Sequence, residues 1–234
     1  ANLRPVQSGK KGSYFFKGKT EYVNVLTSAS VEAASIANNH IYDKGGKGAE
    51  RTLEIYRNID GVQFTGLASE EDEMDATTPL IILRKGIKTA LINFTYGTNM
   101  GSTTHWPKVN YMARRDLLKR AVDKAHEEDA DLIIALPHWG DEYVLSHNGS
   151  QEDMAAWLVE NGTDIIIGSH PHVIQDTLKT DSAQVAYSLG NLVSNMSAAN
   201  TQLGLIATLT IIRLHNGDLR IQPLEFTYTW CSRP

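Results

Sequence analysis

One cysteine in 234 residues, Cys231, excludes an internal disulfide and any cysteine-rich zinc module. It leaves the redox compartment open. No run reaches the roughly 18 apolar residues of a membrane-spanning helix, and Ala1-Asn2-Leu3-Arg4-Pro5 has no signal-peptide profile. As given, the chain reads as a soluble globular piece, processed or trimmed. With a formal net charge of −5 and no basic run, a nucleic-acid surface has no support. There is no Gly-x-Ser-x-Gly elbow, and Cys231 sits in no nucleophile context, so serine- and cysteine-hydrolase readings fall away. Gly45-Gly46-Lys47-Gly48 lacks the Walker spacing and reads as a plain loop rather than an anion cradle. Internal repeats, low-complexity segments and a convincing linker are all missing.

What is present is enough for one well-buried core: 41% hydrophobic and 21% charged residues. One mixed α/β domain over residues 1–234 is the economical expectation. Residues 5–19 read as an exposed loop around Tyr14-Phe15-Phe16, followed by a short helix near 21–28 and a small-residue strand over 31–37. A helix over about 48–58, with Leu53, Tyr56 and Arg57 at helical spacing, precedes a brief strand end at Phe64-Thr65-Gly66. The acidic segment 70–75 reads as a solvated loop. Residues 80–84 and 89–94 form a predicted hairpin closed at Lys85-Gly86, and 98–108 a polar loop. The helix over 110–128 carries the clearest stripe, Leu117, Leu118, Ala121, Val122 and Ala125. A buried strand over 131–136, an amphipathic helix over 151–161 and a β-branched run, Ile165-Ile166-Ile167, complete a βαβ-like part. The remainder reads as strands: 185–189, then 203–214 and 219–228 joined by a two-residue Asn216-Gly217 turn.

Four of the eight histidines immediately follow short apolar strands: His40, His138, His170 and His172. The loop beyond the carboxyl end of a buried strand is where open α/β sheets bind ligands. Pro171 stiffens the spacing of His170 and His172, and two neutral imidazoles held there suit a divalent transition metal. With His138 and Asn39 they make a predicted metal site, with Asn191 a weaker fifth group. Asp43 either orients the His40 imidazole or caps the following helix. Trp139, Glu142 and Tyr143 either line a pocket or, for Trp139, belong to the core.

Ala37-Asn38-Asn39-His40-x-x-Asp43, His138-Trp139-Gly140-x-Glu142-Tyr143, Gly168-Ser169-His170-Pro171-His172-Val173 and Tyr187-Ser188-Leu189-Gly190-Asn191 occur in that order. They resemble the successive signatures of the bacterial capsule-synthesis, or poly-γ-glutamate-synthesis, proteins of CapA/PgsA type, within the calcineurin-like metallophosphatase superfamily. The resemblance runs over nearly the whole chain and implies an α/β fold: a metallophosphatase-like two-sheet sandwich flanked by helices in four αββα layers. It implies one or two divalent ions (Mn, Fe or Zn) held by Asn39, His138, His170 and His172, with His40 as acid–base and Asp43 behind it. Trp139, Glu142, Tyr143 and Asn191 become substrate-binding residues, and the chemistry a metal-bridged hydroxide attacking phosphorus. Two departures stand out. No Asp-x-His occurs, and Arg4 stands where the family's Asn-Leu-Glu motif has an acid, so the N-terminal strand of the fold is expected to lie upstream. Three functions follow as expectations. The first is a cell-envelope hydrolase of phosphoester or amide bonds in synthesis or attachment of an anionic capsule polymer. The second is a non-catalytic scaffold or polymer-binding subunit of a membrane synthase. The third is an intracellular phosphoesterase. The first two place the full-length protein outside the cytoplasm on a membrane anchor.

Overall fold

The computed structural model describes residues 4–7, 14–19 and 23–232, with the backbone alone for 4–7 and 14–17. Its centre is a six-stranded mixed sheet. Four strands run parallel: β7 (Ile87–Thr95), β9 (Leu132–His138), β10 (Ile165–Ile167) and β12 (Gln184–Ala186). Two antiparallel strands close its edges, β6 (Leu80–Arg84) beside β7 and β11 (Thr177–Lys179) beside β12. Strand alternation builds two cores. Ala90, Ile92, Phe94, Ile133, Ala135, Ile166 and Val185 face the helices α4 (Arg115–Glu127) and α5 (Gly149–Glu160). Leu91, Leu132, Ile134, Leu136, Ile165 and Ile167 face the opposite way, onto Leu209, Ile211, Ile221 and Leu224 from the end of the chain.

That second face is covered by two antiparallel ladders. Strand β13 (Leu203–Thr208) pairs with β16 (Glu225–Trp230), and β14 (Ile211–Arg213) with β15 (Leu219–Ile221). A third cluster seats α2 (Gly45–Arg57), through Ala49 and Leu53, on Ile36, Leu67 and Val109. Around it lie β3 (Ala33–Ser35) paired with β4 (Gln63–Thr65), and β5 (Leu67–Ala68) paired with β8 (Lys108–Val109). The predicted mixed α/β architecture, β-layers inside and helices outside, is the one observed.

Several local expectations change. Within 5–19 the backbone is a hairpin, β1 (Arg4–Gln7) against β2 (Tyr14–Lys17), rather than a loop; Ala1-Asn2-Leu3 lie outside the described residues. The short helix α1 is Asn24–Ser28. The acidic segment is a helix, α3 (Glu71–Thr77). Its Met74 is buried, and Glu73 accepts bonds from Ser69 N at 2.6 Å and Arg57 Nη2 at 2.5 Å. Tertiary anchoring of that kind outweighs the acidic composition. The helix expected from 110 starts at Arg115, because Asn110 is committed to the sheet end: its N–H goes to Gly66 O and its C=O to Thr95 N. The two long C-terminal strands each break in two, at 209–210 and 222–224, where Pro223 offers no N–H and Leu224 N bonds Gln184 Oε1 at 2.7 Å. Their turn has three residues, His215-Asn216-Gly217, between Leu214 and Asp218, with Gly217 at φ +93°. Strand 185–189 shortens to Gln184–Ala186, and β11 went unread because its three residues are all exposed.

Candidate active site

The site lies at the carboxyl ends of the parallel strands. Thr95 at the end of β7 is in register with His138 at the end of β9, and His138 bridges to Ser169, just beyond β10. Backbone bonds lock the loops together: Tyr96 N to His138 O at 2.8 Å, Trp139 N to Ser169 O at 3.0 Å. Buried Asn93 ties in the fourth loop. Its Oδ1 accepts from Ala37 N at 2.7 Å and its Nδ2 donates to Leu136 O at 2.7 Å, joining the approach to Asn39-His40 to the approach to His138. Such a buried amide, satisfied on both sides, holds two loops in one relative position.

The structure brings together His138, His170, His172, Asn39, His40 and Asp43. The ring centroid of His138 is 4.7 Å from that of His170, which is 6.2 Å from that of His172. His138 Nε2 lies 2.9 Å from Asn39 Oδ1, and Asn39 Nδ2 donates to Asn99 Oδ1 at 3.2 Å. His40 Nδ1 is 2.8 Å from Asp43 Oδ2. Helix α2 starts after Lys44 with no side-chain cap, so Asp43 serves the imidazole and not the helix. Gly45–Gly48, expected as a loop, form the first turn of α2.

His170 is the most unusual member. Its backbone has φ +104°, in the region that favours glycine, and His172 follows at φ +62°. Its ring is buried, yet Nδ1 is without a hydrogen-bond partner. Burial lowers its pKa to about 4, with the neighbouring His172 and His40 adding to the effect and Asp141 opposing it. Burial likewise holds His138 well below the ordinary histidine range, with His170, His172 and His40 acting in the same direction. Both rings are therefore neutral at pH 7, the form a metal ligand needs; His170 Nδ1 is uncommitted, while His138 Nε2 lies against Asn39 Oδ1 and its Nδ1 against Ser169 Oγ at 3.2 Å.

Of the predicted substrate-binding residues, Glu142 and Tyr143 are exposed at the rim, and Tyr143 stacks on His172 with centroids 6.1 Å apart. Asn191 Oδ1 is 2.9 Å from His172 Nδ1. Trp139 is a correction: it is wholly buried in the core, its Nε1 donating to Tyr187 O at 2.9 Å, so it lines no pocket. Gly168 is the reason it fits, since a Cβ there would stand 2.1 Å from Tyr187 O and 2.4 Å from Trp139 Nε1. Sequence reasoning missed Tyr96 and Asn99. The Tyr96 ring stands 4.7 Å from His170, and its phenol is pushed up by burial and by the charges of Glu142 and Asp141. Its position directly after the β7 strand end was the available signal.

The residues fit a divalent ion on two counts: the orphaned, buried Nδ1 of His170, and a donor set of neutral imidazoles with an amide oxygen. Among the described residues, no three His, Cys, Asp or Glu side chains form a ready-made metal-holding group, and no helix is long and apolar enough to cross a membrane.

The chain is 29% identical over 188 residues to the capsule biosynthesis protein CapA of Bacillus anthracis, covering 79% of this chain and 45% of that one. It is 26% identical over 209 residues to the PGA biosynthesis protein CapA of Bacillus subtilis (strain 168), covering 88% and 53%. The chain thus spans about half the length of these curated relatives. Among solved structures, the calcineurin-like phosphoesterase YfkN from Bacillus subtilis superposes with a TM-score of 0.56 at 15% identity, over 89% of this chain and 66% of that one, which shows the metallophosphatase fold. Residues 3–196 match the model of the family described as bacterial capsule synthesis protein PGA_cap, and the chain belongs to that family.

Proposed function

We propose that the chain is the metallophosphatase-fold part of a cell-envelope protein that acts in synthesis or attachment of a capsule or poly-γ-glutamate-type polymer, as a metal-dependent phosphoesterase-like hydrolase. The observation that carries the reading is the buried, unpartnered Nδ1 of His170 among imidazoles held neutral at the ends of parallel strands. Asn39, His138, His170 and His172 would hold the ion. When bound, a divalent cation there supplies Lewis-acid stabilisation of phosphoryl oxygens. The chain's own groups do the rest. Asp43 accepts the Nδ1–H of His40, which fixes that ring's tautomer and orients Nε2 to exchange a proton with a leaving oxygen. Tyr96 and Tyr143 flank His170 and His172 and shape the approach. An anionic polymer or phosphoester is the substrate class, and membrane synthase subunits are the partners of the full-length protein.

The test is hydrolysis of chromogenic phosphomonoesters and phosphodiesters with Mn²⁺, with chelator, and in two variants. His138→Ala is expected to remove activity. Asp43→Asn is expected to lower it about 10–100-fold without loss of bound metal. Turnover unaffected by chelation and by both substitutions would overturn the proposal. A second reading, a non-catalytic scaffold or polymer-binding subunit, is favoured by the absence, among the described residues, of a ready-made three-ligand group. Wild-type protein that binds anionic polymer but hydrolyses neither ester class would establish it.

A further inference from the structure

None of the donors named above is an anion, so a divalent ion held by them alone would keep its full charge. The geometry points to Glu142 as the missing carboxylate: we propose that Glu142, together with His172 Nε2, completes the cation site as a direct ligand. The inference rests on the metal reading above and adds the one anionic donor.

Asn191 sets the tautomer of the His172 ring. Its Nδ2 donates to Thr201 O at 3.0 Å and His172 O at 3.3 Å, so the amide is oriented with Oδ1 toward His172. Oδ1 at 2.9 Å then takes the Nδ1–H of His172. In a neutral ring the lone pair is thereby on Nε2, and Nε2 stands 3.8 Å from Glu142 Oε1. Two acceptors set face to face at that distance repel each other unless a cation is shared between them. Donors bound to one ion at about 2.1 Å each lie about 3–4 Å apart, which matches. The second carboxylate at this rim, Asp141, has one oxygen engaged, since Asn148 Nδ2 donates to its Oδ2 at 2.7 Å. Residues 140–143 form a strap tied to the His172 loop, where Tyr143 N donates to Pro171 O at 2.8 Å. Gly140 lets the strap turn there; it has φ +87°, and a Cβ would meet the Gln151 amide at 2.6 Å. A carboxylate beside imidazole shifts the preference of the site toward harder ions such as Mn²⁺.

Mn²⁺ binding is measured by titration calorimetry, and by the electron paramagnetic resonance of free Mn²⁺, on wild type, Glu142→Gln, Asp141→Asn and His170→Ala. Expected is a loss of at least about tenfold in affinity for Glu142→Gln, a change under about threefold for Asp141→Asn, and no saturable binding for His170→Ala. If Glu142→Gln binds within threefold of wild type while His170→Ala loses binding, Glu142 is a simple ion-pair partner of protonated His172. The carboxylate proposal then falls while the metal reading stands. If Asp141→Asn loses as much as Glu142→Gln, the effect is general negative charge and direct ligation is overturned. If wild type binds no Mn²⁺, the metal reading falls and takes this proposal with it.

Discussion

Replacing His170 separates the stability of the metal-free chain from its proposed function. Truncating a buried aromatic side chain ordinarily costs about 3–5 kcal/mol. At this position two opposing terms are released. A non-glycine residue at φ +104° carries about 1–3 kcal/mol of backbone strain. An orphaned buried nitrogen carries about 1–3 kcal/mol of desolvation. His170→Gly recovers both, and its net cost is expected to be under about 2 kcal/mol. His170→Ala removes the orphan but keeps a Cβ at positive φ, so it recovers only one. Glycine elsewhere is less stable than alanine by about 0.5–1 kcal/mol. Here the order is expected to invert, with His170→Gly the more stable by about 1 kcal/mol. Urea unfolding in EDTA, followed by tryptophan fluorescence, reads this directly. The same titration with Mn²⁺ at about a hundred times the wild-type Kd is expected to raise wild-type stability by about 2.7 kcal/mol and leave both variants unchanged. A His170→Gly variant less stable than His170→Ala in EDTA would refute the strain argument.

The acid response of the metal-free chain follows from the same histidine. The His170 pKa is lowered to about 4 in the folded state against 6.5 for the ordinary group, so the unfolded chain binds more protons between those values. The stability contributed by the neutral ring is therefore complete above pH 6.5 and lost as pH falls from 6.5 toward 4, to the extent of about 3 kcal/mol. His138 acts in the same direction. Urea midpoints taken in EDTA across that range should fall, and should fall less in His170→Ala; a flat profile would contradict the assignment. For Trp139→Phe, Tyr187 O loses its donor in a dry core, and a cost of about 1–3 kcal/mol is expected with Mn²⁺ affinity unchanged. Altered Mn²⁺ affinity in that variant would place Trp139 in the site after all.

The amino-acid sequence alone determined what short-range patterns carry. A hairpin pattern closed at Lys85-Gly86 marked β7, unbroken apolar runs marked β9 and β10, and the stripe from Leu117 to Ala125 marked α4, because burial on two faces or on one imposes those patterns. It also placed Asn39, His40, His138, His170 and His172 after apolar strands, which is where the parallel sheet gathers them. Tertiary structure decided matters that depend on partners far along the chain. Glu71–Thr77 is helical because Arg57 and Ser69 hold Glu73 and the core receives Met74. Trp139 is core because Gly168 lets Tyr187 O approach it. The choice between the two roles of Asp43 was settled by a 2.8 Å contact to His40, and the pairing of Glu142 with His172 by a strap anchored to Pro171 O. The pairs Arg57–Glu73 and Trp139–Tyr187 join residues 16 and 48 positions apart. A local pattern has no means of encoding them, because their free energy exists only once the strands have brought those loops to one end of the sheet.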